Sequence, residues 1–170
     1  MLQIVVMGVS GCGKSTVAIG IARELGLTML DGDDLHLPES VAKMRAGIPL
    51  VDADRWPWLD RISHALARHD AGHVVACSAL KRAYRDRIRR LAVTVQFVFL
   101  EGSRELIEKR LTLRTGHYMH PELLASQFST LETPTANELD VITLDIQQPV
   151  EVLVAEAVAA LQAKRTTVRI

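Results

Sequence analysis

Gly8-Val9-Ser10-Gly11-Cys12-Gly13-Lys14-Ser15 is the stretch on which the rest of the chain turns. It matches G-x-x-x-x-G-K-[ST], and its flanks are those the pattern needs. Before it lies Leu2-Gln3-Ile4-Val5-Val6-Met7, an apolar, β-rich run. After it, Lys14 to Leu25 sets Val17, Ile21 and Leu25 on one face at steps of four, the spacing of an amphipathic helix. Glycines let the backbone curl so that successive N–H groups point at one phosphate. The helix start adds its positive dipole end. The motif therefore assigns Gly8, Ser10, Gly11, Cys12, Gly13, Lys14, Ser15 and Thr16 to a nucleoside triphosphate. Lys14 reaches the β- and γ-phosphates, and the Ser15 hydroxyl ligates Mg²⁺.

Working outward, short apolar runs alternate with helical patterns. Thr28-Met29-Leu30, His73 to Cys77, Thr94 to Leu100 and Val141 to Leu144 read as four more strands. They lack polar alternation, which suits strands covered on both faces of a parallel sheet. Trp58 to Arg68 reads as a helix with Leu59, Ile62 and Leu66 inward. Ser103 reads as an N-cap ahead of Leu106, Ile107, Arg110 and Leu111, and Pro149 opens a last helix through Leu161. Lys164 to Ile170 reads as a frayed polar tail. The fold class is α/β, a P-loop fold with a parallel sheet flanked by helices. No linker or repeat divides the 170 residues, so one domain is expected.

Composition removes other classes. Twenty basic and 20 acidic residues cancel, so there is no molecule-wide attraction to nucleic acid or anionic membrane. Two cysteines make neither a disulfide scaffold nor a four-ligand zinc site. The apolar N-terminal run lacks the marks of a signal peptide, and no run is long enough to span a membrane. The expectation is a cytoplasmic protein with no membrane or nucleic-acid partner. A GTPase switch would carry N-K-x-D, which does not occur. A small kinase fits better.

Leu30-Asp31-Gly32-Asp33-Asp34-Leu35-His36 closes the second strand, where ligands of an open parallel sheet sit. Asp31 can hold a water of the Mg²⁺ shell. Asp33 can orient or deprotonate an attacking hydroxyl. A plain Asp/Gly turn is the bland reading of the same residues.

Taken with the P-loop and this segment, the remaining blocks make the chain resemble the gluconate kinases (gluconokinases) of the small P-loop, adenylate-kinase-like type. The blocks are Lys43-Met44, Gly47-Ile48-Pro49-Leu50, Asp52-Ala53-Asp54-Arg55-Trp56-Pro57-Trp58-Leu59 and Cys77-Ser78-Ala79-Leu80-Lys81 with Tyr84-Arg85. Late matches are Arg110-Leu111, Arg114, Gly116-His117, Ser126-Gln127-Phe128 and Leu131-Glu132. The Asp-Arg-x-Pro-Trp-Leu and Cys-Ser-Ala-Leu-Lys blocks are the specific ones.

The resemblance implies a five-stranded parallel sheet, a substrate-binding region at about 33–62 and a small lid at about 111–122. It implies ATP- and Mg²⁺-dependent phosphorylation of D-gluconate at its 6-hydroxyl, in a homodimer whose product feeds the pentose phosphate pathway. Gluconate carries one carboxylate and five hydroxyls, so its site needs cations and hydrogen-bonding groups. Arg55, Lys81 and Arg85 are the candidate cations. Asp33, His36, Trp58, Tyr84, His117 and Gln127 complete the expected acceptor site. Lys14, Asp33 and Arg114 form the catalytic set, with Arg110 and Arg114 brought to the phosphates by lid closure. The loop from Asp145 to Pro149 is the expected adenine seat.

Several positions depart from the family pattern: Leu37-Pro38 where Pro usually follows the histidine directly, Ser40 where Asn is usual, and Val51 where Thr, Ser or Asn usually precedes Asp52. Cys12, beside a helix N-terminus, is expected to have a lowered thiol pKa and to lie near Cys77. The competing readings are another small-molecule kinase, an ATP-binding regulator without chemistry, and a nucleic-acid patch on Lys81–Arg90. A shikimate kinase would carry a Gly-Gly-Gly turn, absent here.

Overall fold

A computed structural model describes residues 2–68, 72–112 and 121–167. Its strands are β1 (Gln3–Met7), β2 (Thr28–Asp31), β3 (His73–Ala76), β4 (Val95–Glu101) and β5 (Val141–Asp145). They form one sheet in the order β2-β3-β1-β4-β5, every pair parallel. The helices are α1 (Lys14–Leu25), α2 (Pro38–Arg45), α3 (Asp52–Ala67), α4 (Arg82–Arg89), α5 (Arg104–Thr112), α6 (Pro121–Thr130) and α7 (Val150–Thr167). The expected five-stranded parallel sheet is present, each strand within a residue or so of its expected bounds.

Both faces of β1 are buried, which is why its sequence shows no polar alternation. Ile4 and Val6 pack with Val17 and Ile21 of α1 and with Leu153 and Leu161 of α7. Val5 and Met7 pack on the other face with Leu59 and Ile62 of α3 and Tyr84 and Ile88 of α4. Leu59 and Ile62 are fully buried, so truncating either to Ala costs about 2–5 kcal/mol.

Three helices differ from the sequence reading. α3 begins at Asp52, not Trp58, and carries Pro57 inside it. A proline reads as a helix start, but here an upstream carboxylate secures the end. Asp54 accepts the Val51 N–H at 3.0 Å, and helical geometry runs through the proline from there. The last helix continues to Thr167 rather than ending at Leu161, so the expected frayed tail is helical over Lys164–Thr167. α2 was not foreseen. No helix among the described residues is long and apolar enough to cross a membrane.

The parallel arrangement brings the carboxyl ends of β1, β2 and β3 to one edge. The phosphate loop follows β1, a 3-10 turn (Gly32–Leu35) follows β2, and the 77–81 loop follows β3. The site is built on these three loops.

Candidate active site

The loop after β1 reaches a left-handed backbone at Gly11 (φ 82°) and Gly13 (φ 100°), a region where side chains are strained. Gly13 is the N-cap of α1 and offers no side-chain cap, and no acidic residue stands in the first turn. The unpaired N–H groups of that turn are thus left for an anion. The Lys14 ammonium donates to the Val9 carbonyl at 3.0 Å. The Ser10 N–H donates to Gln127 Oε1 at 2.6 Å, tying α6 to the phosphate loop.

After β2, Asp31 is the N-cap of the 3-10 turn, and its Oδ1 accepts the Asp33 N–H at 3.0 Å. That bond turns the chain so that the Asp33 carboxylate stands in the open, 88% exposed. Trp58 closes the turn from α3. It is buried, and its indole N–H donates to the Gly32 carbonyl at 2.6 Å. The His36 ring lies flat on the Trp58 indole, centroids 4.2 Å apart. His36 Nε2 is 3.9 Å from Asp33 Oδ1, and its buried Nδ1 has no hydrogen-bond partner among the described residues. Burial holds this imidazole below its usual range, against the opposing pull of Asp33. It is therefore neutral at pH 7.

A third group gathers around Asp52. Its carboxylate accepts from Lys81 Nζ at 2.9 and 3.0 Å and from the Tyr84 hydroxyl at 2.5 Å, with Arg55 Nη1 at 3.9 Å. The Tyr84 hydroxyl and then Lys81 hold the Asp52 carboxyl below the usual range. The same bond holds the Lys81 ammonium above its own. Burial, and then Asp52, raise the Tyr84 phenol. At neutral pH the cluster holds one carboxylate, two cations and a phenol. Beside it, Lys43 Nζ ties α2 to Asp54 of α3 at 2.6 Å.

These three groups line one cleft of about 790 Å³. It takes in Ser10, Gly11, Gly13, Lys14, Ser15 and Thr16 of the phosphate loop on one side. Asp31, Asp33, His36, Arg55, Trp58, Lys81, Tyr84 and Gln127 make up the rest of its chemistry. A loop that binds phosphate therefore opens directly onto a cationic, hydroxyl-bearing wall.

A family model described as an AAA domain matches residues 4–134. The thermoresistant gluconokinase of Escherichia coli (strain K12) is 42% identical over 161 residues, covering 93% of this chain and 92% of that one. The gluconokinase of Gluconobacter oxydans (strain 621H) is 44% identical over 165 residues, covering 95% and 92%. The chain belongs to the gluconokinase family. The crystal structure of a gluconokinase from Sinorhizobium meliloti 1021 superposes with a TM-score of 0.91 at 46% identity, covering 98% of this chain and 95% of that chain.

Four residues expected in the gluconokinase site stand outside the cleft. Gly8 lies beneath the loop and donates its N–H to the Ser78 carbonyl at 3.3 Å. Cys12 is buried, and burial raises its thiol above the usual range despite Lys14 and Arg110 nearby. The expected lowering is thus reversed, because desolvation outweighs the helix end and both cations. Cys12 and Cys77 also belong to separate core clusters on opposite faces of the sheet, so the expected closeness is not upheld. Cys77 is pushed up to about 12.

Arg110 donates to the Ile146 carbonyl, within the loop expected to seat adenine. Arg85 needs a correction of role. It is 1% exposed and forked onto the Glu138 carboxylate at 2.7 and 2.8 Å, so its charge faces the interior and not a ligand. Arg114 and His117, with most of the expected lid, lie outside the described residues.

Asp52, Lys43 and Asp54 stand in the blocks that carry the resemblance, but the sequence assigns them no role in the site. A signal was present for Asp52: it sits three residues before Arg55 on one helix, the spacing of an ion pair. The carboxylates of Glu132 and Glu138 carried no such local sign, because their partners are about 50 residues away.

Proposed function

We propose that this gluconokinase-family chain transfers the γ-phosphoryl group of ATP to the 6-hydroxyl of D-gluconate, yielding 6-phospho-D-gluconate and ADP. The observation that carries the reading is the single cleft. It joins a phosphate loop to a wall holding Arg55, Lys81, Tyr84 and His36, the donor chemistry that a polyhydroxy carboxylate needs.

In this reading the phosphate-loop N–H groups and Lys14 hold the β- and γ-phosphates and stabilise charge on the transferring group. Arg55 and Lys81 take the gluconate carboxylate, which sets the sugar acid with its far end toward ATP. The His36 ring and the Gln127 amide, both lining the cleft, hydrogen-bond hydroxyls. Asp33 accepts the proton of the 6-hydroxyl as that oxygen bonds to the γ-phosphorus and the bond to the ADP oxygen breaks.

The donor set fits Mg²⁺. The Ser15 hydroxyl and the Asp31 carboxylate line the same cleft, and no cage of three or more His, Cys, Asp or Glu occurs among the described residues. Few protein oxygens supplemented by phosphates and water are what Mg²⁺ takes in kinases. Bound there, the ion would neutralise charge on the β- and γ-phosphates. Closure of a lid at about 111–122 carrying Arg114 and His117, a homodimer and a cytoplasmic setting belong to the same proposal and rest on family resemblance.

The test is ADP release with ATP and Mg²⁺ across D-gluconate, other aldonic acids, shikimate, CMP, AMP and no acceptor. Turnover on gluconate, reduced at least a hundredfold in Lys14→Ala and in Asp33→Asn, is the expected result. Turnover confined to another acceptor would move the specificity, and no turnover with any acceptor would end the kinase reading.

A further inference from the structure

Arg85 is too deeply buried to meet a substrate, yet its hydrogen bonds lead back to the cleft. Its Nε and Nη2 engage Glu138 at 2.8 and 2.7 Å. Its Nη1 donates at 3.2 Å to the carbonyls of both Ala79 and Leu80. Those two carbonyls belong to the loop between β3 and α4, where no ladder or helix serves them. Ala79 there has φ 41°, the one non-glycine residue with positive φ among those described. A buried alanine held in the left-handed region marks a loop whose shape is imposed from outside.

The same loop is gripped from a second direction. The Glu132 N–H donates to the Leu80 carbonyl at 2.9 Å. The Glu132 carboxylate accepts the Arg82 N–H at 2.7 Å, at the first turn of α4. That bond has a consequence for position 81. Lys81 is the N-cap residue of α4, a place where Ser, Thr, Asp or Asn normally satisfies the helix N–H groups. With Glu132 serving that end, position 81 is released from capping and carries a cation into the cleft.

We propose that Arg85, fixed by Glu138, is a positioning residue for the acceptor site: it holds the 77–81 loop in its left-handed turn so that Lys81 faces the sugar acid. The inference rests on the gluconokinase reading of the cleft. Arg85 touches neither nucleotide nor acceptor; it acts through two backbone carbonyls. A lysine in its place keeps the charge but lacks the planar fork, so it cannot serve Glu138 and both carbonyls at once.

The test compares wild type with Arg85→Lys, Ala79→Gly and the double variant, by steady-state kinetics in both substrates and by crystal structures. Arg85→Lys is expected to raise KM for gluconate about tenfold, with KM for ATP and kcat changed less than twofold, and to shift the loop in the crystal. Ala79→Gly, for which the left-handed turn is unstrained, is expected to leave wild-type kinetics within twofold. In the double variant it should recover at least half of the KM increase on a logarithmic scale. A lowered melting temperature with KM for gluconate unchanged would make Arg85 merely structural and overturn the proposal, as would equal rises in both KM values or no rescue by glycine.

Should Arg85→Lys fail to fold, Glu138→Gln is measured in its place and is expected to give the same KM split; an unchanged KM for gluconate refutes the clamp. If wild type shows no turnover on gluconate, the functional reading fails by itself. The crystal structures then decide the clamp: a loop unmoved in Arg85→Lys refutes it.

Discussion

Glu138→Gln isolates the contribution of one buried, doubly paired carboxylate. The Glu138 side chain is 2% exposed and receives both arms of Arg85 together with Arg89 at 2.8 Å. The Arg85 guanidinium foremost, aided by Arg89, holds its carboxyl at about 2, against about 4.3 for an ordinary glutamate. A depressed carboxyl contributes stability that is complete above its unfolded value and disappears as pH falls through its folded value. At about 1.4 kcal/mol per pH unit between the two, the contribution is on the order of 3 kcal/mol near neutrality, and roughly half of it is lost by pH 3. Removing one partner of a buried pair independently suggests about 3–5 kcal/mol, because Arg85 is left with an uncompensated charge. Urea unfolding followed by far-UV circular dichroism at pH 7, 5, 4 and 3 gives the stability of each protein. Other depressed carboxyls, including Asp52, Asp54 and Asp60, titrate in both proteins, so the difference between them reports Glu138. The expected difference is about 3 kcal/mol at pH 7, narrowing by about half at pH 3. A difference that stays constant across that range would refute the reasoning, because the lost stability would not then be tied to a titrating carboxyl.

Val51, exposed at the N-cap of α3, makes no side-chain cap, and the Asp54 N–H that a cap hydroxyl would share donates to the Val51 carbonyl at 3.1 Å. Val51→Thr should stabilise the fold by about 1 kcal/mol and raise Tm by about 2–4 °C in calorimetry; no rise would show that the threonine hydroxyl does not cap. Cys12, buried and with its thiol raised, should resist iodoacetamide in the native protein at pH 8 and react only on unfolding. Rapid native labelling at Cys12, mapped by peptide mass spectrometry, would contradict its burial. The His36 imidazole should titrate below 6.5 in proton NMR; protonating it on acidification opposes the buried stack on Trp58, so stability falls as pH drops through the His36 range. A midpoint above 6.5 would mean that Asp33 outweighs burial.

What was readable from the sequence follows from the range of the interaction involved. The phosphate loop, its strand and α1 are consecutive, and each step is enforced by local backbone chemistry, so Gly8 to Leu25 could be placed closely. The spacing of Leu59, Ile62 and Leu66 shows only the buried part of α3, whereas its start is anchored by a carboxylate–amide bond between Asp54 and Val51. Arg85 looked like a ligand cation because Lys81 and Arg85 share a helix face. That Arg85 turns to the core while Lys81 enters the cleft depends on Glu138, more than 50 residues on and silent at the level of pattern. The thiol of Cys12 was misjudged for a related reason. Helix end and lysine are visible in sequence, but the burial that overrides them comes from the assembled core cluster that Cys12 shares with residues as distant as Leu100 and Ile107.

The sheet order gives the two halves of the cleft unequal foundations. β1, which carries the phosphate loop, is paired on both sides, and four of its five residues are buried. β2, which carries Asp31 and the turn to Asp33, is an edge strand with one neighbour and no fully buried residue. Amide hydrogens of Ile4 to Met7 must wait for global unfolding to exchange with solvent, while those of β2 are released by smaller, local openings. In the proposed reading, the phosphate-loop side of the cleft is therefore expected to open later than the side carried by β2. Gentle heating should extinguish turnover while nucleotide is still retained.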